Sequence, residues 1–471
     1  MLISRYQDFV HAAARLDQLI EQTPAQDDSS RPAVRARAEF RMSRLIRFLD
    51  FLGNPHLGYP IVHIGGTSGK GSTSTAVASV LTAAGYRTGL HTSPYLQVAT
   101  EKLQVDRQLI GADTFVRLTE HLLDELERWR SSGEERLTYG EAWIALMTLF
   151  FSDQRVDVAV VEVGAGGRFD LTNILTPVLS VITSVGIDHT NTLGSTIEAI
   201  AWHKAGIIKS GIPAISAVSS AAAKRIIADE AAAVGTTLTQ LDLVSQTSNI
   251  RVDRGQTTWV DLGTTEPYAI SLAGSFQAIN GSLAVHVARQ LRSTDFDIPD
   301  AAIVAGLPQT HIPGRVEFVP DRVPVLLDGA HNHDKISALA QDIPDLLPVE
   351  GDGRRIAVVG ALEAKQADNM LALLVPCVDL VIATSPKVLA KSTREASALA
   401  DTARLAGFGD AVIVEPDPQA AIHRALDEAR TGDAVLVTGS LYLVGNIRER
   451  WYRSSDIVET QSSWPTRPLN T

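Results

Sequence analysis

Val62-His63-Ile64-Gly65-Gly66-Thr67-Ser68-Gly69-Lys70-Gly71-Ser72-Thr73 is the stretch on which the reading of this 471-residue chain turns. The β-branched run from Ile61 to Ile64 reads as a buried strand. A glycine-rich turn follows, then small and apolar residues at helical spacing from Thr75 to Ala84. Strand, glycine turn and helix together form a phosphate cradle, in which backbone N–H groups at the helix start face the anion. The candidate phosphate contacts are Thr67, Ser68, Gly69, Lys70, Gly71 and Ser72. Lys70 supplies a full charge, and Ser72 or Thr73 a hydroxyl for a metal ion or phosphate. The strict pattern G-x-x-x-x-G-K-[ST] is not met. Ile64 stands where its first glycine belongs, and Gly71 follows the lysine.

Working outward, the chain is too long for one typical domain. A hydrophobic content of 45% and a charged content of 20% describe a globular protein with large cores. A net charge of −12 argues against a nucleic-acid or anionic-membrane partner, but leaves room for anionic small substrates at a local positive site. The lone cysteine, Cys377, lies in an apolar run and reads as a small buried hydrophobe, so no disulfide framework or zinc cluster is expected. No apolar signal segment or membrane-length stretch is visible. The expected address is cytoplasmic and the expected form a monomer.

Helical spacing covers Tyr6–Glu21 and Val34–Leu52, with a loop over 22–33 between them. Further apolar strands run from Tyr86 to Thr92, Val156 to Val163 and Val178 to Val185, separated by amphipathic helices. This alternation implies a parallel sheet covered on both faces. Ligands bind beyond the carboxyl ends of such strands. Lys70, Ser93, Glu162 and His189 each lie just there, after four different strands. A small antiparallel excursion is expected over 236–273. Pro308 to Arg315 reads as a domain boundary. Five more strands follow, beginning at Val323, Ile356, Leu380, Ala411 and Ala434. The expected architecture is α/β: a phosphate-loop-containing, doubly wound parallel-sheet ATPase domain over 1–310, then a smaller Rossmann-like domain over 311–455. Residues 456–471 read as a loose polar tail.

Several short motifs occur together in one order: Gly66 to Ser72, Thr92-Ser93-Pro94, Glu162 to Arg168, Asp170 with Thr172-Asn173, Asp188-His189-Thr190, Lys204 to Lys209, Pro313-Gly314-Arg315 and Asp328 to Asn332. In this order the chain resembles the folylpolyglutamate and dihydrofolate synthases of the Mur ligase superfamily. The resemblance spans about Leu45 to Glu449. It implies ATP-dependent ligation of L-glutamate to a folate or dihydropteroate carboxylate through an acyl phosphate. It also implies two magnesium ions, held by Ser93, Glu162 and His189, and a carbamylated Lys204 that supplies oxygen ligands. Lys70, Glu162, His189 and Lys204 would then be catalytic. By the same resemblance Asn280 contacts the adenine end of ATP, and Arg315 and Asp328 complete the nucleotide site. His331 and Ser440 lie toward glutamate. The acceptor lies near Thr138, Tyr139, Gly140 and Glu141 and near Phe169, Asp170 and Leu171.

The chain departs from the family pattern at Ser68, Tyr95, the stretch Glu101-Lys102-Leu103-Gln104-Val105, Gly140, His203, Ser275-Phe276-Gln277 and His333. Tyr95 and Gly140 fall on the presumed folate side. Two other readings stay open on the residues: a Mur-type amide ligase with a different carboxylate acceptor, and a nucleotide-binding switch protein. The switch gives no role to Lys204, to Asp328-Gly329-Ala330-His331-Asn332, or to a second domain.

Overall fold

The computed structural model describes residues 2–21, 31–363, 367–389 and 391–465. Their contacts divide them into two compact units. The first holds the described residues up to Gln246, with Ile279–Thr310 and Ile457–Ser462. The second holds Thr247–Ala278, His311–Asp456 and the described residues from Ser463 onward.

The first unit is built on an eight-stranded sheet. Across it the strands run Gln108–Leu109, Leu103–Val105, Thr88–His91, Val158–Glu162, Ile61–Gly65, Leu179–Ile182, Ala214–Ser216 and Leu238–Gln240. The last six are parallel, and the first two form an antiparallel edge. The two central runs, Ile61–Gly65 and Val158–Glu162, are buried along their whole length, as strands covered on both faces must be. Ile64 lies in register with Glu162 on one side and Val181 on the other. The polar residues that follow these strands are thereby delivered to one edge. The expected loop at residues 22–30 falls outside the described residues. From Arg31 the chain is already helical, with Pro32 in the first turn, where its missing N–H costs nothing.

The second unit carries a six-stranded sheet in the order Glu317–Val319, Val325–Leu327, Ala434–Thr438, Arg355–Val359, Leu380–Ala383 and Val412–Val414, antiparallel only at its first edge. The expected antiparallel excursion is narrower than the sequence implied. Leu238–Gln240 belongs to the large sheet, whereas Thr247–Asp253, Gln256–Asp261 and Tyr268–Ile270 form a separate three-stranded sheet. That sheet falls in the second unit, because Val252, Ala273 and Phe276 pack into its core.

The tail corrects another expectation. Ser454–Thr460 is a helix, with Ile457 and Val458 buried. Two adjacent apolar side chains outweigh the polar composition around them. Beyond the helix, the Trp464 indole donates to Glu317 Oε1 (2.9 Å), and Arg448 donates to the Ser463 carbonyl (2.7 Å). Arg448 is fully buried and doubly bonded to Glu317. Residues 466–471 of the expected tail lie outside the described residues.

Two histidines sit inside the first sheet. His63 and His91 both pair with Val161, one from each side, so they point to the same face. Burial, with Lys209 nearby, pushes His63 down to about 3. Burial and Lys102 do the same for His91. Both are therefore neutral when folded and regain their ordinary proton affinity on unfolding. The unfolded chain binds more protons below the ordinary value of 6.5, so stability is full above it and falls as pH drops. Each histidine is expected to cost about 1.4 kcal/mol per pH unit in that range. Denaturation midpoints measured from about pH 7 to 5 should decline, and His63→Gln should roughly halve the slope. A flat profile would remove the neutral-histidine assignment.

Candidate active site

The phosphate loop is stapled to the end of the neighbouring strand. Thr67 N–H donates to the Ser184 carbonyl (2.9 Å), and Ser68 N–H to Ser184 Oγ (2.8 Å). The Ser68 carbonyl accepts from Thr183 Oγ1 (2.6 Å), and Thr67 Oγ1 accepts from Gly186 N–H (3.0 Å). Gly66 has φ 150, and a Cβ on it would lie 1.9 Å from Thr183 Oγ1. Gly69 has φ 84, and a Cβ there would meet Asn280 Oδ1 at 2.3 Å. Asn280 therefore sits directly on the loop. Lys70 opens the helix Lys70–Ala83 and reaches back across the loop, its Nζ donating to the Gly66 carbonyl (3.1 Å). Ser72 is the third residue of that helix and is buried. The Ser68 and Thr73 hydroxyls are buried without a hydrogen-bond partner. Such orphaned groups fit a site built for a ligand rich in oxygen.

Beside the loop, Glu162 ends its strand with only 5% of its surface exposed. Its Oε2 accepts from Ser93 N–H (3.0 Å) and lies 3.6 Å from where a Gly71 Cβ would stand. A buried carboxylate thus abuts both the loop and Ser93. Among the described residues no three of His, Cys, Asp and Glu converge on one point. That donor set suits magnesium, which takes one or two carboxylates and completes its shell with waters and substrate phosphates. His189 is exposed, in left-handed backbone (φ 52), at the start of the short helix Thr190–Leu193.

Lys204 is buried in the helix Ile197–Ala205, among the buried Ala201, Ala205 and Ile207. The glycine-rich turn packs straight onto this helix. A Cβ on Gly167 would lie 2.7 Å from the His203 carbonyl and 3.1 Å from Lys204 Cα. Arg168 N–H donates to the same carbonyl (2.6 Å).

The turn, this helix and the helix Arg31–Phe51 enclose a cavity of about 510 Å³. Phe169, Asp170 and Leu171 line it, with Trp202 and His203. The Arg35 guanidinium lies 4.8 Å from the Trp202 ring centre, and Arg168 stacks on the same ring at 4.3 Å. The cavity wall is therefore aromatic, and it carries the Arg35 and Arg41 guanidinium groups as well as the Asp170 carboxylate. Thr138, Tyr139, Gly140 and Glu141 do not line it. Gly140 lies behind Leu171, where a Cβ would approach Leu171 Cδ1 to 3.0 Å. Tyr139 packs edge-on against Trp143, and Lys102 lies over both rings. Burial pushes Lys102 down to about 7.

Glu141 is committed to structure. Its carboxylate accepts from Thr138 N–H (2.8 Å) and Oγ1 (2.6 Å) in a capping box, and from Arg44 Nε (2.9 Å). It is fully buried. Glu141→Ala would leave the buried Arg44 guanidinium with only its longer contact to Glu135 (3.4 Å), at an expected cost of up to about 3 kcal/mol, whereas Arg44→Met with Glu141→Leu should recover most of it. Urea denaturation of the two variants checks this, and equal losses would contradict it.

In the second unit, Asp328 is buried. Its Oδ2 accepts from Val316 N–H (2.9 Å) and its Oδ1 from Ala330 N–H (2.8 Å). Burial pushes its carboxyl up, against the opposing pull of Arg315. Val316 holds φ 47, a left-handed conformation that β-branched residues rarely adopt, and it fixes the backbone beside Arg315. His331 pairs its Nδ1 with the Gly329 carbonyl (2.8 Å), and its Nε2 lies 3.2 Å from Lys335 Nζ. Ser440 caps the helix Leu441–Arg448 by accepting from Tyr442 N–H (3.2 Å).

Sequence reasoning missed Arg35, Trp202, Arg44 and His63. Only His63 left a trace, as one polar residue in an otherwise β-branched buried run.

Residues 64–288 match the Mur ligase middle domain, and residues 314–441 the Mur ligase glutamate ligase domain. The chain is 32% identical to a dihydrofolate synthase/folylpolyglutamate synthase of Bacillus subtilis, over 87% of this chain and 94% of that protein. Its fold is similar to that of a Mycobacterium tuberculosis folylpolyglutamate synthase complexed with ADP and AMPPCP. The TM-score is 0.81 at 28% identity, covering 94% of this chain and 98% of that one. It is also similar to a bifunctional folylpolyglutamate synthase/dihydrofolate synthase of Yersinia pestis complexed with AMPPNP and a manganese ion. There the TM-score is 0.75 at 27% identity, covering 93% and 97% of the two chains. With its ordered motifs, its stapled phosphate loop and these likenesses, the chain belongs to the dihydrofolate synthase/folylpolyglutamate synthase family of Mur ligases.

Proposed function

We propose that the chain joins L-glutamate to a folate-type carboxylate at the expense of ATP, with dihydropteroate as a further acceptor. The observation that carries this reading is the buried Glu162 carboxylate held against Gly71 and Ser93. A buried anion beside a phosphate loop is costly unless a cation accompanies it. Lys70 supplies charge to the β- and γ-phosphates, and the Ser68 and Thr73 hydroxyls complete the cradle. Asn280, at the tip of the loop, serves the adenine end, with Arg315 and Asp328 assigned to the nucleotide as well. Ser93 and Glu162 would hold one magnesium ion, and His189 with a carbamylated Lys204 a second. When bound, such an ion offsets phosphate charge and polarises the γ-phosphoryl group.

The acceptor enters the cavity between Arg35, Phe169, Asp170 and Trp202. Its flat ring system lies against the aromatic wall, while its carboxylate is directed to the phosphate loop. That carboxylate oxygen bonds to the γ-phosphorus as the bond to ADP breaks. The glutamate amine then attacks the acyl carbon, phosphate leaves, and the amine's proton passes to solvent. His331 and Ser440 serve the glutamate side. Carbon dioxide modifies the neutral amine, and the buried position of Lys204 shields the resulting carbamate from bulk water.

The deciding experiment measures glutamate-dependent ADP release with tetrahydrofolate and with dihydropteroate. In that assay Lys70→Ala should stay folded and lose at least ~100-fold in turnover, the scale of a lost transition-state charge contact. Near-normal turnover would remove the loop's assignment. Lys204→Ala should be nearly inactive and partly restored by a short carboxylic acid in the buffer. No recovery would argue against the carbamate.

A further inference from the structure

We propose that His63 is a positioning residue for the acceptor: through the Thr172 hydroxyl it fixes the Asp170 carboxylate at the cavity wall, ready to accept N–H groups of a planar heterocycle. The proposal rests on the reading that this cavity takes the acceptor.

The argument begins with proton accounting. Thr172 Oγ1 donates its only proton to Asp170 Oδ1 (2.6 Å). His63 Nε2 lies 2.8 Å from the same Oγ1. The hydroxyl can therefore only accept from the ring, so the ring proton is on Nε2. Nδ1 is then a bare lone pair, and it is buried with no hydrogen-bond partner. The ring is fully buried and neutral. The chain His63 to Thr172 to Asp170 thus runs in one direction only, and it ends on a residue lining the cavity.

The Asp170 carboxylate is held at two further points. Oδ1 also accepts from Thr172 N–H (3.0 Å), and Oδ2 accepts from Ala165 N–H (2.9 Å). Oδ1 is saturated, whereas Oδ2 keeps acceptor capacity. A carboxylate fixed this way selects a ligand that donates. A neutral donor at the end of the chain leaves the charge on Asp170, where a cation would draw it away. The bare Nδ1 is the cost of this arrangement. An apolar residue like Ile61, Val62 or Ile64 would pack the strand without leaving a buried nitrogen unsatisfied.

The test uses the full chain with ATP, L-glutamate and a pteroate-type acceptor, and the variants Thr172→Val, His63→Leu and His63→Gln. Thermal melts first select variants that remain folded. The first two should raise the acceptor KM about tenfold, as for a lost hydrogen bond to a charged group, with ATP KM and kcat within about twofold. His63→Gln, whose amide nitrogen can donate at the same place, should restore the acceptor KM. An unchanged acceptor KM in both disrupted variants overturns the proposal, and so does a parallel loss in kcat and every KM. Ring 15N NMR supplies a readout that needs no substrate. It should show a neutral Nε2–H ring from about pH 5 to 8, and a ring titrating near its ordinary value overturns the relay. Failure of the wild-type enzyme to use any pteroate-type acceptor would sink the functional reading separately, leaving the NMR result to decide the relay.

Discussion

The backbone at Gly66 passes so close to Thr183 that no side chain fits between them. That approach lets the phosphate loop hang on the strand end 183–186 by its own N–H and carbonyl groups. The loop is consequently shaped before any ligand arrives, and the entropy of ordering it falls on folding rather than on binding. Everything else at this edge is indexed to the loop. Register with Ile64 sets the height of Glu162, Glu162 holds the Ser93 N–H, and Asn280 closes over Gly69.

Two buried arginine–glutamate pairs do a different job. Arg44–Glu141 fastens the second helix to the capped start of the helix Tyr139–Asp153. Arg448–Glu317 fastens the end of the chain beside Gly314, whose N–H Glu317 also accepts (2.8 Å). Such pairs contribute little net stability over apolar packing, but they penalise any alternative arrangement strongly.

The sequence exposed what is local. β-Branched runs such as Val158 to Val161 mark buried strands, and residues just beyond them fall at the ligand edge by topology alone. Residues whose partners are remote were not legible. Glu141 reads as a substrate contact until Arg44, 97 residues away, occupies its carboxylate. The cavity wall joins Arg35 to Trp202 across a still longer stretch of chain, which no spacing reveals. Thr247 to Ala278 follows the first sheet in the chain yet packs in the second unit's core. The tail was misread because two residues, Ile457 and Val458, decide its fate against a polar average.

Trp202, His203 and Lys204 are consecutive on one short helix, pinned by Arg168 and Gly167 from below. The first two line the cavity proposed for the acceptor, and the third is the residue proposed to serve a metal. The helix has nine residues, and the turn contacts it at His203 and Lys204. On the proposed assignments acceptor and metal would be linked ligands: any factor by which one tightened the other would operate equally in reverse. The order in which they arrived would be a matter of kinetics, while the coupling between them would run through one helix.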